Sequence, residues 1–166
     1  MEIDWNAEVV EQLHSHWQDR LRPRLDGLTD DELFWLPVSS AQPAENREPV
    51  TTIAWRLTHL IEGLGPPTIP HFKPTTAAPP FVDFGSSARE ALHQLDEAYE
   101  AWIADVRHLG PTGLAQPQGL LSPSPFADFP LARKVMYVHV EVIHHGAEVC
   151  LLRDLYAARS SNGASL

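Results

Sequence analysis

The sequence predicts an all-α protein folded as a four-helix bundle. Four separate segments carry apolar residues at intervals of three and four, which is the period of a helix with one buried face. Capping residues precede these segments and Pro or Gly follows them, as at helix ends. No segment alternates apolar and polar residues as a strand does, and no internal repeat occurs. Helices of this kind bury their apolar faces against one another, which favours a bundle.

Length and charge restrict the function further. The chain of 166 residues has the length of one domain, 1–166, with room for a substantial core. The formal net charge is -10 and the 12 Lys and Arg residues are scattered, so no nucleic-acid partner is expected. No apolar run approaches the roughly 20 residues that span a bilayer, so no membrane association is expected. The start of the chain lacks a basic segment followed by an apolar one, and we expect a cytoplasmic protein.

The chain has one cysteine, Cys150, which cannot form an internal disulfide and so agrees with a reducing compartment. It lies at helical spacing among apolar residues and is predicted to be a core thiol. A thiolate nucleophile is the less favoured alternative.

The first predicted helix covers residues 4–22, where apolar residues recur every four positions with polar residues between them. Pro23 ends or kinks it. A capping box at 29–32 predicts a short helix that Pro37 ends, and the chain is then predicted to be loop up to Pro49.

One of the two Thr residues at 51–52 is predicted to cap the second long helix, which runs to about Leu64. Residues 65–85 are rich in Pro and are predicted as loop, but their apolar side chains suggest that the loop packs onto the bundle as a lid. A second capping box at 87–90 predicts a third long helix ending near Gly110.

The chain from 110 to 129 is again predicted as loop, and Asp128 and Pro130 set up the fourth long helix, from about Pro130 to Arg159. Its predicted buried stripe consists of Val135, Val138, Val142, Val149, Leu152, Leu155 and Tyr156.

The fourth helix also carries a dense group of polar side chains, since residues 141–148 read Glu-Val-Ile-His-His-Gly-Ala-Glu. At about 100° per residue, His145 falls within the apolar stripe and Glu141 lies about 40° from His145. An ionised carboxylate facing a core is costly unless it is paired or bound to a metal. Because side chains at i and i+4 stand one above the other, Glu141 and His145 can chelate one ion. A third ligand must then come from another helix.

Among the nine His residues, His59 is a candidate for that third ligand because it lies midway along a helix with almost no charge. By angle it lies opposite the stripe of Leu57, Ile61 and Leu64, on the side shared by Trp55, Arg56, Glu62 and Gly63. That side is either a solvent face or the wall of a polar pocket, and angle alone does not decide between them.

The other His residues outside the 141–148 segment are predicted to have no ligand role. His71 lies in the Pro-rich loop, where it could act as a lid residue over a site. The positions predicted to lie at the surface are His14, His16, His93, His108 and His139.

Residues 52–60 read Thr-Ile-Ala-Trp-Arg-Leu-Thr-His-Leu. Together with residues 141–148, this segment resembles the DinB/YfiT-like metalloenzyme family. The resemblance covers nearly the whole chain, including the turn at 31–35 and the loop that carries His71 and Phe72. It implies a four-helix bundle of up-down-down-up order, with one divalent metal ion at its open end.

The resemblance also implies a ligand set. One His comes from the second helix, matched by His59, and an i, i+4 pair comes from the fourth, matched by Glu141 and His145. Many members have His at both positions of that pair, so Glu141 departs from the majority and is similar to the mycothiol-dependent maleylpyruvate isomerase branch. Three protein ligands leave positions open for water or substrate, and N and O donors suit Zn, Ni, Fe or Mn.

The activity implied by the resemblance uses a low-molecular-weight thiol, such as mycothiol or bacillithiol, in thiol transfer to an electrophilic substrate or in a thiol-assisted isomerisation. Arg56 could hold a carboxylate, and His144 or Glu148 could orient a ligand or carry a proton. A simple salt bridge is an equal alternative for His144 and Glu148. Relatives often pair as dimers, so a homodimer is a further expectation.

Three other functions stay open from the sequence. One is a bundle that acts mainly through oligomerisation, for which exposed Trp and Phe residues could form a face. A di-iron carboxylate protein would use Glu141 and His144 as a Glu-x-x-His motif, but it also needs a second such motif and two further glutamates placed on other helices. A non-catalytic or stress-associated bundle would keep the polar cluster as a satisfied core network.

Overall fold

The computed structural model describes residues 2–37, 51–78 and 81–162, and its helices confirm the all-α prediction for those ranges. The helices are α1 (Trp5–His16), α2 (Asp30–Leu33), α3 (Ile53–Leu64), α4 (Ala88–Leu114) and α5 (Leu131–Asn162). Shorter helical pieces are the π-helix Trp17–Leu21 and the 3-10 helices Arg22–Leu25, Gly119–Leu121 and Phe126–Asp128. The loop predicted to reach Pro49 lies, beyond Pro37, outside the described residues.

Predicted N-caps are present at three helices. The side-chain oxygens of Thr29, Thr52 and Ser87 each accept a hydrogen bond of 3.2 Å from the backbone N–H three residues later. These bonds satisfy donors that have no partner inside the helix, so they fix where α2, α3 and α4 begin. Thr52, and not Thr51, is therefore the cap of α3.

Helix ends account for two differences from the sequence prediction. The third long helix was expected to stop near Gly110, which has a φ of 61° and breaks the regular backbone. Helical structure nevertheless resumes at Pro111 and continues to Leu114, because the fixed φ of proline suits the first turn of a helix. Asp128 lies in a 3-10 turn, and α5 begins at Leu131.

The direction of each long helix follows from its cross-contacts. The α1 region is antiparallel to α4, since Asn6 donates to the Val106 carbonyl while Arg22 pairs with Asp96. It is parallel to α5, because an added Cβ at Gly146 would meet Leu21, and Arg24 pairs with Asp154. Helix α3 is antiparallel to α5, since Arg56 pairs with Glu148 and His59 contacts Glu141. The order is therefore up-down-down-up, as the resemblance implied.

The core lies between these four helices, where Trp17 of the π-helix stacks on Tyr99 of α4 at 4.0 Å between ring centroids. Most of the stripe predicted on α5 is buried, namely Val135, Val138, Val142, Val149 and Leu152. Leu155 is exposed, contrary to the prediction, because Tyr156 makes the contact with Trp35 near α2 and leaves Leu155 on the outer side.

The Pro-rich loop packs onto the bundle through two of its aromatic residues. Phe84 is buried, and Phe72 lies against Trp102 with 5.4 Å between ring centroids. Phe81 is exposed and does not share in this packing. The loop therefore covers one flank of α4.

Candidate metal centre

Helix α3 presents His59 towards α5. Its sequence neighbours Trp55 and Arg56 lie on the same side, and Arg56 is buried with only 7% of its surface exposed. The indole of Trp55 stacks on the imidazole of His59, with 5.5 Å between centroids and 8° between planes. Because a buried guanidinium and a stacked imidazole share this side, it is the wall of a polar pocket rather than a solvent face.

Helix α5 brings Glu141 and His145 to the same pocket. Glu141 Oε2 lies 3.3 Å from His59 Nε2 and 3.3 Å from His145 Nε2. The two imidazole rings stand at 90° with 4.6 Å between their centroids. Two rings from different helices thus direct one nitrogen each at the same carboxylate oxygen.

The distances are also those expected between two ligands of one metal ion. An N–H···O hydrogen bond is most often about 2.9–3.0 Å long, and both contacts exceed that range. Donor atoms about 2.0–2.2 Å from one tetrahedral ion lie about 3.3–3.6 Å from each other. The three residues fit a divalent metal by donor type as well, because imidazole and carboxylate are both ligands of Zn and related ions.

Glu141 is ionised at neutral pH, as a ligand must be. Partial burial acts to raise the pKa of its carboxyl. The hydrogen bonds from His59 and Tyr137, with the charge of His145, outweigh that effect and hold the pKa below its ordinary value.

The orientation of His145 depends on two further side chains. Its Nδ1 lies 2.6 Å from Glu148 Oε2, and the same oxygen accepts from Arg56 Nε at 2.9 Å. When Nδ1 carries the ring proton, it donates a hydrogen bond to this carboxylate, and the lone pair of Nε2 is then directed at His59 and Glu141. Such a carboxylate–histidine pair is the usual outer support of a metal-bound imidazole.

A second group of donor atoms lies within one turn of α5 and consists of His144, His145 and Glu148. It is the weaker candidate because Glu148 is already engaged by Arg56 and by Nδ1 of His145. The side chain of His144 is 65% exposed and lies 3.6 Å from Glu148. Both groups use His145, so among the described residues they do not form the two independent halves of a di-iron site.

The structure places the remaining His residues away from this pocket. His71, for which a lid role over a site was one alternative, is held by Asp105 of α4, whose Oδ2 lies 2.8 Å from Nδ1 and also accepts a hydrogen bond from the backbone N–H of His71. Its ring packs edge-on against Trp102. His93 and His108 are exposed, as predicted.

Three of the surface predictions are wrong. His139 is only 1% exposed, and burial lowers its pKa to about 4, so the ring is neutral. His139 lies on the side of α5 that faces away from the Val stripe. That side is also covered, because the indole of Trp102 packs against the imidazole of His139. His14 and His16 are half-buried, and Nδ1 of His14 lies 2.7 Å from the Tyr99 hydroxyl.

Cys150 is half-buried and packs against the core, in agreement with the sequence prediction. Burial raises the pKa of its thiol, so the thiol stays protonated and unreactive at neutral pH.

Two contacts of the pocket were not predicted from the sequence. Tyr137 hydrogen-bonds Glu141, and Trp55 stacks on His59. Both lie four residues before the side chain that they contact, so the same i, i+4 spacing that selected Glu141 and His145 could have found them. A cavity of about 190 Å³ adjoins the pocket, lined among others by His59, Tyr137 and Glu141.

In the described residues, no helix is both long and apolar enough to cross a membrane. Neither the curated proteins nor the solved structures include a significant match to this chain. The sequence model of the DinB superfamily matches residues 12–149, a range that contains His59, Glu141, His145 and all of the α3–α5 pocket. Since the match extends over most of the sequence, the chain belongs to the DinB superfamily.

Proposed function

We propose that the protein binds one divalent metal ion through His59, Glu141 and His145 and uses it to activate a low-molecular-weight thiol. The observation that carries this proposal is the convergence of two Nε2 atoms on one ionised carboxylate oxygen, each at 3.3 Å. Three protein ligands would leave positions for a thiol or water.

The surrounding residues have separable roles in this proposal. A bound metal would act as a Lewis acid and lower the pKa of a coordinated thiol. Glu148 keeps the proton on Nδ1 of His145, and Arg56 holds Glu148 in place through its 2.9 Å ion pair. Tyr137 stabilises the charge of Glu141 and borders the adjoining cavity.

The thiol must lose its proton when its sulfur bonds to an electrophilic carbon, and the leaving group departs with the electron pair of its own bond. His144 is our candidate for accepting that proton. Its ring lies 4.8 Å from that of His145, between centroids, and it is open to solvent, to which it can return the proton.

Turnover tests this proposal directly. Metal-replete protein is incubated with individual thiols, including mycothiol and bacillithiol, and an activated aryl halide, and thioether formation is measured. We expect turnover with at least one thiol in the wild type and in the His93→Ala control, and its loss in Glu141→Ala. Equal turnover in Glu141→Ala would contradict the proposal. Absence of turnover with every thiol would leave a non-catalytic metal-binding bundle.

A further inference from the structure

A ridge of side chains on α5 leads away from the pocket. Arg133, Tyr137, Glu141 and His145 follow at intervals of four, so their side chains stand one above the other along the helix. At about 1.5 Å per residue, Arg133 lies about 12 Å along the helix axis from Glu141. The ridge therefore connects a basic end with the candidate metal ligands.

Open space follows this ridge. Beside Glu141 lies the cavity of about 190 Å³, and beyond it lies a larger one of about 610 Å³. Both are lined by Gly63, Tyr137 and Val138, so they adjoin each other along α5, and together they are called the groove here. Phe126 and Phe129 give the outer part an aromatic wall, and Arg133 and Lys134 close its far end.

Lys134 is a half-buried cation with spare hydrogen-bonding capacity. Its Nζ donates to the Leu121 carbonyl at 3.2 Å, whereas an ammonium carries three donors. No carboxylate in the described ranges forms an ion pair with it, although the net charge of the chain is -10. Burial lowers the pKa of this ammonium, and no neighbouring charge offsets that effect.

Arg133 adds a second cation at the same end. Its guanidinium lies over the ring of Phe129, with 3.9 Å from Cζ to the ring centroid. Within the described part of the chain, it too has no carboxylate partner. A planar guanidinium held on an aromatic face keeps its N–H edge available for an anion.

We propose that this groove binds an organic anion, with its carboxylate at Lys134 and Arg133 and its apolar body against Phe126, Phe129 and Tyr137. The assignment of the other end of this molecule to the metal ligands rests on the proposed function. Lys134 and Glu141 are seven residues apart, so the ligand spans about 10 Å. The carboxylate can belong to the thiol or to the electrophile.

The probe is an ω-mercapto acid long enough to span the groove, compared with the ω-mercapto alcohol of the same chain length. Binding to metal-replete protein is measured by titration calorimetry. Because a hydrogen bond to a charged group is worth more than one to a neutral group, we expect the acid to bind about tenfold more tightly or better. The affinities of a carboxylic acid without a thiol and of a thiol without a carboxylate, both of the same length, are measured in the same way. They show whether the carboxylate has to be on the thiol molecule itself or can bind as part of a separate molecule.

Variants locate the source of that preference. Lys134→Gln should bring the affinity for the acid down to that for the alcohol, and Lys134→Arg should restore the preference. Arg133→Gln should reduce it in part. Arg107→Gln removes the same charge from an exposed position on α4 and should leave both affinities unchanged. Thermal unfolding of each variant separates lost binding from lost folding.

Equal affinities of the wild type for the acid and the alcohol would overturn the proposal. A Lys134→Gln variant that still prefers the acid, or that binds both ligands more weakly by the same factor, would overturn it as well. Metal content is measured on the same preparation, so that the anion-binding groove and the metal site are tested separately. A metal-loaded protein without acid preference would refute the anion groove alone. A metal-free protein that still prefers the acid through Lys134 would refute the metal assignment alone.

Discussion

At the residue scale, the pocket is a chain of contacts in which each member fixes the next. Arg56 holds Glu148, Glu148 holds Nδ1 of His145, and Nε2 of His145 then meets Glu141 opposite His59. The sequence pointed to Glu141 and His145 through their spacing. It did not show that Arg56 would pair with Glu148, because that contact joins residues 92 positions apart on different helices.

The role of Glu148 in this series of contacts can be tested without changing a proposed metal ligand. Glu148→Gln removes the charge that keeps the proton on Nδ1 of His145, while nearly preserving the side-chain volume. We expect metal affinity, measured by competition with a chromophoric chelator, to fall about 10–100-fold. His144→Gln, at the exposed neighbour of Glu148, should stay close to the wild-type affinity. Unchanged affinity in Glu148→Gln would show that His145 is oriented by other contacts.

His139 provides a stability test at the same scale. Neither of its ring nitrogens has a hydrogen-bond partner among the described residues, although the side chain is buried. His139→Leu replaces the unpartnered ring by an apolar side chain of similar size, and we expect the free energy of unfolding to rise by about 1–3 kcal/mol.

Chemical denaturation measures this difference, with exposed His93→Leu as the control, expected within about 0.5 kcal/mol of the wild type. A loss of stability in His139→Leu would mean that the imidazole has a buried polar partner.

At the element scale, the close approach of α5 to the π-helix depends on a glycine next to a proposed ligand. A Cβ added at Gly146 would lie 2.8 Å from Leu21 Cδ2, and Leu21 is only 2% exposed. The predicted first helix was expected to continue to residue 22 without a change of type. Apolar spacing does not distinguish a π-helix from an α-helix over five residues, so this detail could not be read from the sequence.

Gly146→Ala and Gly63→Ala form a matched pair. Nothing lies within 4 Å of a Cβ added at Gly63, which is also inside a helix. We expect Gly63→Ala to raise the free energy of unfolding by about 0.5–1 kcal/mol, and Gly146→Ala to lower it by about 1–3 kcal/mol through overpacking.

Denaturant titration of both variants measures whether the free energy of unfolding rises in Gly63→Ala and falls in Gly146→Ala. The double variant Leu21→Val with Gly146→Ala should recover part of the loss, since it removes the atom that clashes. If Gly146→Ala were as stable as the wild type, Leu21 would have room to move and the close approach would not be a constraint.

At the scale of the whole molecule, the fold was more predictable than the site. Apolar periodicity predicted the four long helices, and capping residues marked the starts of α3 and α4, because these signals are local. The order of the helices came from the resemblance and agrees with the contacts of Arg22, Arg24 and Arg56. His59 was ambiguous by angle alone, since only the packing of α3 against α5 turns its side of the helix into a pocket.

The central claim, that one divalent ion is held between α3 and α5, is tested most directly by the metal content of protein purified without an affinity tag. Inductively coupled plasma mass spectrometry is applied to the wild type, His59→Ala and the exposed-site control His93→Ala. We predict about one ion per chain in the wild type and the control, and a large loss in His59→Ala, because three ligands define the site. A metal-free wild type, or full metal content in His59→Ala, would contradict this account.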